Sequence, residues 1–253
     1  MSATLQALTT AFERAKFAGA DQILAAGTMA LRITSNAADF LARAESQGTP
    51  VAVISGDEEA RLGFAAVATD PVFASQPVLS IIDPGGHSTE LVVAFRTDSG
   101  WSEQFRQSFS VGALGLREGF LASESPSPAD IIAATSEIDS MLPTTFARGD
   151  CGLPVALGAT GTNLISIREH LSTWTPHRVH GQILEYEEIS RSVGWMCQMN
   201  DAERRALVGL EPGREKTIHI GCLILERFLY AMRCDRSMVS VRGWRHALLE
   251  EMD

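Results

Sequence analysis

Asp83, Gly85, Gly86, Ser88 and Glu90 crowd into one stretch, IIDPGGHSTEL, residues 81–91. An apolar run, 78–82, ends in Asp83, turns through the two glycines and resumes as a second β-rich run, 88–95. A carboxylate at the end of a buried strand, beside glycines whose backbone lets a ligand approach closely, suits a site that holds phosphate and a hard cation together. Gly158-Ala159-Thr160-Gly161-Thr162-Asn163 follows a further apolar run, 153–157, as a second small-residue turn opening a helix. The amides of a helix N-terminus bind anions, so Gly158 and Thr160 are candidates for phosphate contacts.

A third acidic position comes from capping. Ser55-Gly56-Asp57-Glu58 reads as a capping box, in which Ser55 accepts from the amide of Glu58 and the Glu58 carboxylate returns to the Ser55 amide. That occupies Glu58. Glu59 lies about 100° further round the helix and faces elsewhere. On this segment alone the ordinary reading is a solvated acidic first turn favoured by the helix dipole.

The elements that must position these residues alternate. Leu5, Leu8, Phe12 and Ala15 fall at helical spacing over residues 3–17. A short strand is predicted at 21–28, a helix at 37–44, a strand at 51–54 and the helix carrying Glu59 after it. Residues 68–77, with two prolines, read as a crossover between domains. Beyond them come a strand pair at 90–95 and 102–109, helices near Gly115 and over 129–141, and the strand at 153–157. The C-terminal part is mainly helical, at 186–196, 201–208 and 214–232, with a short strand at 237–240 and a last helix from Trp244. This pitch of helix and apolar strand signals an α/β fold in two domains, 1–70 and 71–253.

Composition bounds the partners. The 253 residues are 45% hydrophobic and carry 31 acidic against 21 basic residues, a formal charge of −10. That balance argues against general binding to nucleic acid or a membrane surface, both of which need a basic field. A polyanionic ligand would need local arginines and a cation. The four cysteines, Cys151, Cys197, Cys222 and Cys234, show no metal-binding spacing and read as reduced thiols. The longest apolar run, 218–232, is interrupted by Glu226 and Arg227 and reads as a packed helix. A cytoplasmic location is expected.

The motifs together resemble the exopolyphosphatase/guanosine pentaphosphate phosphohydrolase (Ppx/GppA) family, of the actin and sugar-kinase (ribonuclease H-like) superfold. The matching positions run in order along nearly the whole chain: Gly27 to Arg32 with Asn36, Val53 to Arg61, Ile82 to Leu91, Ser110 to Ala113, Gly158 to Leu164, His180-Gly181, Arg204 with Gly209 to Arg214, and Arg242 to Arg245. The resemblance implies Mg²⁺-dependent removal of the terminal phosphoryl group from inorganic polyphosphate or guanosine pentaphosphate. Carried over by position, Glu59 would orient or deprotonate the attacking water, Asp83 would hold Mg²⁺ through water, and Glu90 would stand near metal and nucleophile. The amides of Gly85, Gly86 and Ser88 would cradle phosphoryl oxygens, and Arg32 would neutralise charge. Arg214 and Arg245 are expected to pack helices or domains, and His177 and His180 to be surface or hydrogen-bonded histidines.

The sequence also departs from the family. His87 stands where a third glycine is usual, so its Cβ would crowd the phosphate or strain the backbone, or its ring would donate a hydrogen bond. Ala159 replaces a glycine of the second turn, and Lys216 replaces an aspartate. The family's first phosphate loop, Asp-x-Gly-(Ser/Thr)-Asn-Ser on an N-terminal hairpin, is expected to be missing. The first domain would then be incomplete and the strand at 22–26 would have an unpaired apolar edge, which predicts that the edge pairs with another chain, as in a homodimer, that the chain is unstable, or that it is part of a longer protein. A non-catalytic relative that binds phosphate compounds or a partner protein, and a kinase-like phosphotransferase, are the competing readings.

Overall fold

The structure is a computed structural model and describes residues 1–142, 146–147 and 149–252. The chain forms two compact units, Met1–Glu58 and Glu59–Asp253.

In the first unit, α1 (Ser2–Phe17) is followed by β1 (Ala26–Gly27), α2 (Met29–Ile33), α3 (Ala37–Ser46) and β2 (Ala52–Val53). The apolar stripe of α1 buries Leu5 and Phe12. Leu5 packs with Phe40 and Ala44 of α3, and Leu8, Leu31, Leu41 and Val51 close around them. Strands β1 and β2 pair in parallel, Ala26 opposite Ala52 and Gly27 opposite Val53. The strand expected at 21–28 thus shortens to two residues, the length of ladder that β2 offers it.

The second unit takes the helix that carries Glu59, α4 (Gly56–Ala68), from Glu59 onward. It continues through β3 (Val78–Pro84), β4 (Thr89–Thr97), β5 (Gly100–Phe109), α5 (Ala113–Gly119), α6 (Pro128–Met141), β6 (Val155–Ala156) and α7 (Gly158–Arg168). The rest is α8 (Pro176–Val179), β7 (Ile183–Glu185), α9 (Tyr186–Gln198), α10 (Asp201–Arg205), α11 (Ile218–Ala231), β8 (Arg236–Val239) and α12 (Trp244–Glu250). Six strands form one mixed sheet in the order β5-β4-β3-β6-β8-β7. Strands β3, β4 and β5 form an antiparallel meander, β3, β6 and β8 run parallel, and β7 closes the edge antiparallel to β8.

Alternation along the strands builds two cores, because successive side chains leave opposite faces. Ile81 and Val92 go to one face with Ala60, Phe64 and Val67 of α4. Ile82, Leu91 and Val93 go to the other with Phe109, Leu223 and Phe228. Phe73, in the stretch read as a crossover, is fully buried in the first of these cores, so that stretch packs with the second unit. The helix expected at 214–232 begins at Ile218, and residues 214–217 are held by turn bonds such as Arg214 N–H to Glu211 O, 3.1 Å.

Arg204 ties the helical part together. Fully buried, it donates to the carbonyls of Glu215 (2.6 Å), Met196 (2.7 Å), Met199 (2.6 Å) and Glu124 (2.7 Å) and to the Asp201 carboxylate (2.7 Å). Among the described residues, no helix is long and apolar enough to cross a membrane.

Candidate active site

Register places the first two acids. Asp83 stands opposite Glu90 in the β3–β4 ladder, and opposed residues project from the same face. Glu59, in the first turns of α4, supplies the third carboxyl, and all three line a single cavity of about 960 Å³ in the second unit. The half of the capping box that the structure describes is present: the Glu58 amide donates to Ser55 Oγ at 3.0 Å.

Burial and mutual repulsion set the chemistry of these acids. Glu90 is 2% exposed and its pKa is pushed up to about 8, by burial first, then by the charges of Asp83 and Glu59. Hydroxyls of Ser108, at 2.7 Å, and Ser88 bond its carboxyl and partly offset that rise. Asp83 is half-buried, opening onto the cavity. Its pKa rises to about 7, again through burial first and Glu59 second, with the Arg245 guanidinium pulling the other way. Three carboxyls arranged at such a cost favour a bound cation.

The donor set tests which cation fits. No three or more His, Cys, Asp and Glu side chains among the described residues converge tightly enough to enclose a metal by themselves. Asp83 and Glu90, opposed in the β3–β4 ladder, offer the one or two carboxylates that a hard, hydrated ion such as Mg²⁺ takes from protein.

The glycine turn is held from behind. Gly85 N–H donates to Ser88 O at 2.8 Å, closing the turn and occupying one of the three amides expected to cradle phosphate. The carbonyls of Gly85 and Gly86 accept from the first amides of α5, Ala113 at 3.0 Å and Leu114 at 2.7 Å. In a trans peptide the C=O and the following N–H point in opposite directions, so the amides of Gly86 and His87 face away from α5. Ser88, 3% exposed, spends its hydroxyl on Glu90 and acts on the acid rather than on the cavity. His87 and Ala159 both keep ordinary backbone angles: among the described residues other than glycine, only His170 and Arg233 have positive φ. The strain considered for His87 therefore does not arise.

Two glycines are required by close approach. Gly158 has φ +70°, and a Cβ there would stand 2.8 Å from Asp83 Oδ1, so the second turn closes directly over the first acid. Gly112 has extended backbone, but a Cβ on it would collide with the backbone of Gly86 and His87. Gly112→Ala is expected to push the turn out of place and lower kcat/KM for phosphate release about 10²-fold, since ångström displacements near the reacting atoms cost that much. Steady-state kinetics on a variant with an unchanged melting temperature would show it.

Of the predicted residues, Glu59, Asp83, Gly85, Gly86, Glu90, Gly158 and Thr160 line the one cavity. Arg32 belongs to the first unit, where its guanidinium donates to Ile54 O at 2.7 Å. Arg214 and Arg245, expected to pack helices, line the cavity instead, together with Arg242. Short helices and loops carry them, so no periodic pattern marked them in the sequence. Asn163, named only as a member of the second turn, has a role of its own. It donates to Ala159 O at 2.7 Å and accepts from the Glu211 amide at 2.6 Å, pinning loop 209–214 to the second turn. His180 is hydrogen-bonded as expected, with Nε2 3.2 Å from the Asp70 carboxylate and Nδ1 accepting from Val241 N–H.

Comparison with known proteins agrees with this geometry. The sequence profile of the Ppx/GppA phosphatase family matches residues 1–253. A family member from Aquifex aeolicus is 25% identical, with a TM-score of 0.81 over 99% of this chain and 80% of its own. The type II variant of the Aquifex aeolicus Ppx/GppA phosphatase is also 25% identical, with a TM-score of 0.77 over 99% and 81%. An exopolyphosphatase from Cytophaga hutchinsonii, 20% identical, shares the fold with a TM-score of 0.84 over 98% and 80%. The α/β architecture is that of the actin-like and sugar-kinase-type fold, and the chain belongs to the Ppx/GppA phosphatase family.

Proposed function

We propose that this phosphatase hydrolyses the terminal phosphoryl group of inorganic polyphosphate or of guanosine pentaphosphate in a Mg²⁺-dependent reaction. The supporting observation is the convergence of Glu59, Asp83 and Glu90 on a glycine turn within one cavity. Glu59 accepts the proton of the attacking water. Asp83 and Glu90 would hold Mg²⁺, which would neutralise charge on the phosphoryl oxygens. The amides of Gly86 and His87 and the N-terminus of α7 orient those oxygens, while Arg214, Arg242 and Arg245 offset the negative charge of the chain behind them.

The test is phosphate release from each substrate, with and without Mg²⁺. Release that requires Mg²⁺ supports the proposal. Calorimetric binding without turnover would instead favour a non-catalytic phosphate binder.

Stability offers an independent check on the cation. Asp83 and Glu90 titrate above their unfolded values of about 4, so the native state binds more protons through the interval up to about pH 7 to 8. Their contribution is favourable below pH 4 and is lost as the pH rises through that interval. Binding of Mg²⁺ needs the deprotonated acids, so the rise in melting temperature on adding it is expected to be larger at pH 8 than at pH 6. An equal rise at both would remove these carboxyls as the site.

The same reading includes a cytoplasmic setting, in keeping with four cysteines present as free thiols. It also includes a homodimer formed along the outer edge of β1, which has only β2 as a strand neighbour among the described residues. Sedimentation showing a monomer would exclude the dimer.

A further inference from the structure

The cavity is larger than a terminal phosphoryl group with its metal requires, and its walls differ in character. Three carboxyls, Glu59, Asp83 and Glu90, and three arginines line it. Leu171, Trp174, Leu210 and Pro212 belong to the same lining. Trp174 is 61% exposed, a large aromatic surface left in water at the rim of a polar cleft.

Its loop is shaped before any ligand arrives. Leu171 is buried, and its amide donates to Ser166 O at 2.9 Å. Thr175 Oγ1 donates to Thr173 O at 3.0 Å, and Glu169 pairs with Arg178 at 2.8 Å. Loop 209–214 is fixed by the Asn163 bond to the Glu211 amide. A preset aromatic platform loses little freedom on binding.

A bare phosphate chain gains nothing from an aromatic wall. It offers only anionic oxygens, and the face of an indole is itself negative. A nucleobase, by contrast, presents a π-face whose stacking on an aromatic side chain is worth a tenfold change in affinity or more. We propose that Trp174 is a specificity-determining residue that stacks on the base of a nucleoside polyphosphate, so that the site favours a phosphate chain carrying a base over bare inorganic polyphosphate. This rests on the phosphohydrolase reading above.

The test compares wild type, Trp174→Ala and Trp174→Phe on guanosine pentaphosphate and inorganic polyphosphate. The ratio of kcat/KM for the nucleotide to that for polyphosphate is expected to fall about 10-fold in Trp174→Ala, mainly through KM, and to recover most of that loss in Trp174→Phe. A ratio unchanged in Trp174→Ala, with hydrolysis of both substrates intact, overturns the stacking role and leaves the phosphohydrolase reading standing. Calorimetry on the Glu59→Gln background, with the same two compounds and Mg²⁺, separates the other failure. If wild type hydrolyses neither compound, nucleotide binding weakened about 10-fold by Trp174→Ala upholds the stacking role, and nucleotide affinity that this variant leaves unchanged overturns it.

Discussion

Glu59→Gln is expected to lower kcat for phosphate release by about 10²- to 10⁴-fold, the usual contribution of a positioned general base. Glutamine keeps the shape of the side chain and its place at the start of α4, so the variant should melt within a few degrees of wild type. It cannot accept the proton of the attacking water. The charge of Glu59 also raises the pKa values of both Asp83 and Glu90. Removing it should shift the acid limb of any residual pH–rate profile, and of Mg²⁺ binding, to lower pH. An acid that acted by its charge alone would shift these limbs without the loss in kcat at the pH optimum, so the two readouts together identify the base. Retained activity with an unshifted profile would leave Glu59, 8% exposed, as a buried acid with no part in the reaction.

Arg204→Met should destabilise the second unit by about 3–5 kcal/mol, the range for removing one partner from a buried charged pair. The change strands the Asp201 carboxylate, 9% exposed, and deprives the carbonyls of Glu124, Met196, Met199 and Glu215 of a donor at once. Lysine is no remedy: its single ammonium cannot reproduce a planar fork that reaches five acceptors. Denaturant unfolding monitored by circular dichroism would give both values, and Arg204→Lys is expected to recover less than half of the loss. A variant within 1 kcal/mol of wild type would show that water replaces the guanidinium easily.

Much of this site was legible because its chemistry is local. Asp83, the two glycines and Glu90 sit at consecutive points of one hairpin, and strand alternation fixes which of them share a face. The second turn was readable for the same reason, as a strand followed by small residues opening α7. Arg214, Arg242 and Arg245 stood among the matching positions, but nothing in the sequence placed them in the cavity. They come from the loop before α11 and the turn into α12, and only the parallel neighbours β6 and β8 bring the β8 end to the second turn. Periodicity carries no information about that adjacency. Helix and strand identities held along most of the chain, whereas β7, three residues long, and α8, four, were too short to leave a pattern. At His87 the strained backbone considered from the sequence does not arise, because the positive φ falls on Gly158 and not on the residue after Gly86.

The way α5 grips the glycine turn bears on how the enzyme tolerates mutation. The bonds to the carbonyls of Gly85 and Gly86 come from main-chain amides at 113 and 114, not from side chains. Every residue but proline supplies an identical donor there. A saturation library at those two positions should therefore be permissive toward polar, apolar and charged residues alike, within the limits of packing, and intolerant of proline. The shape of the glycine turn is held through backbone that side-chain changes barely touch, which lets α5 vary in sequence while the turn it supports stays fixed.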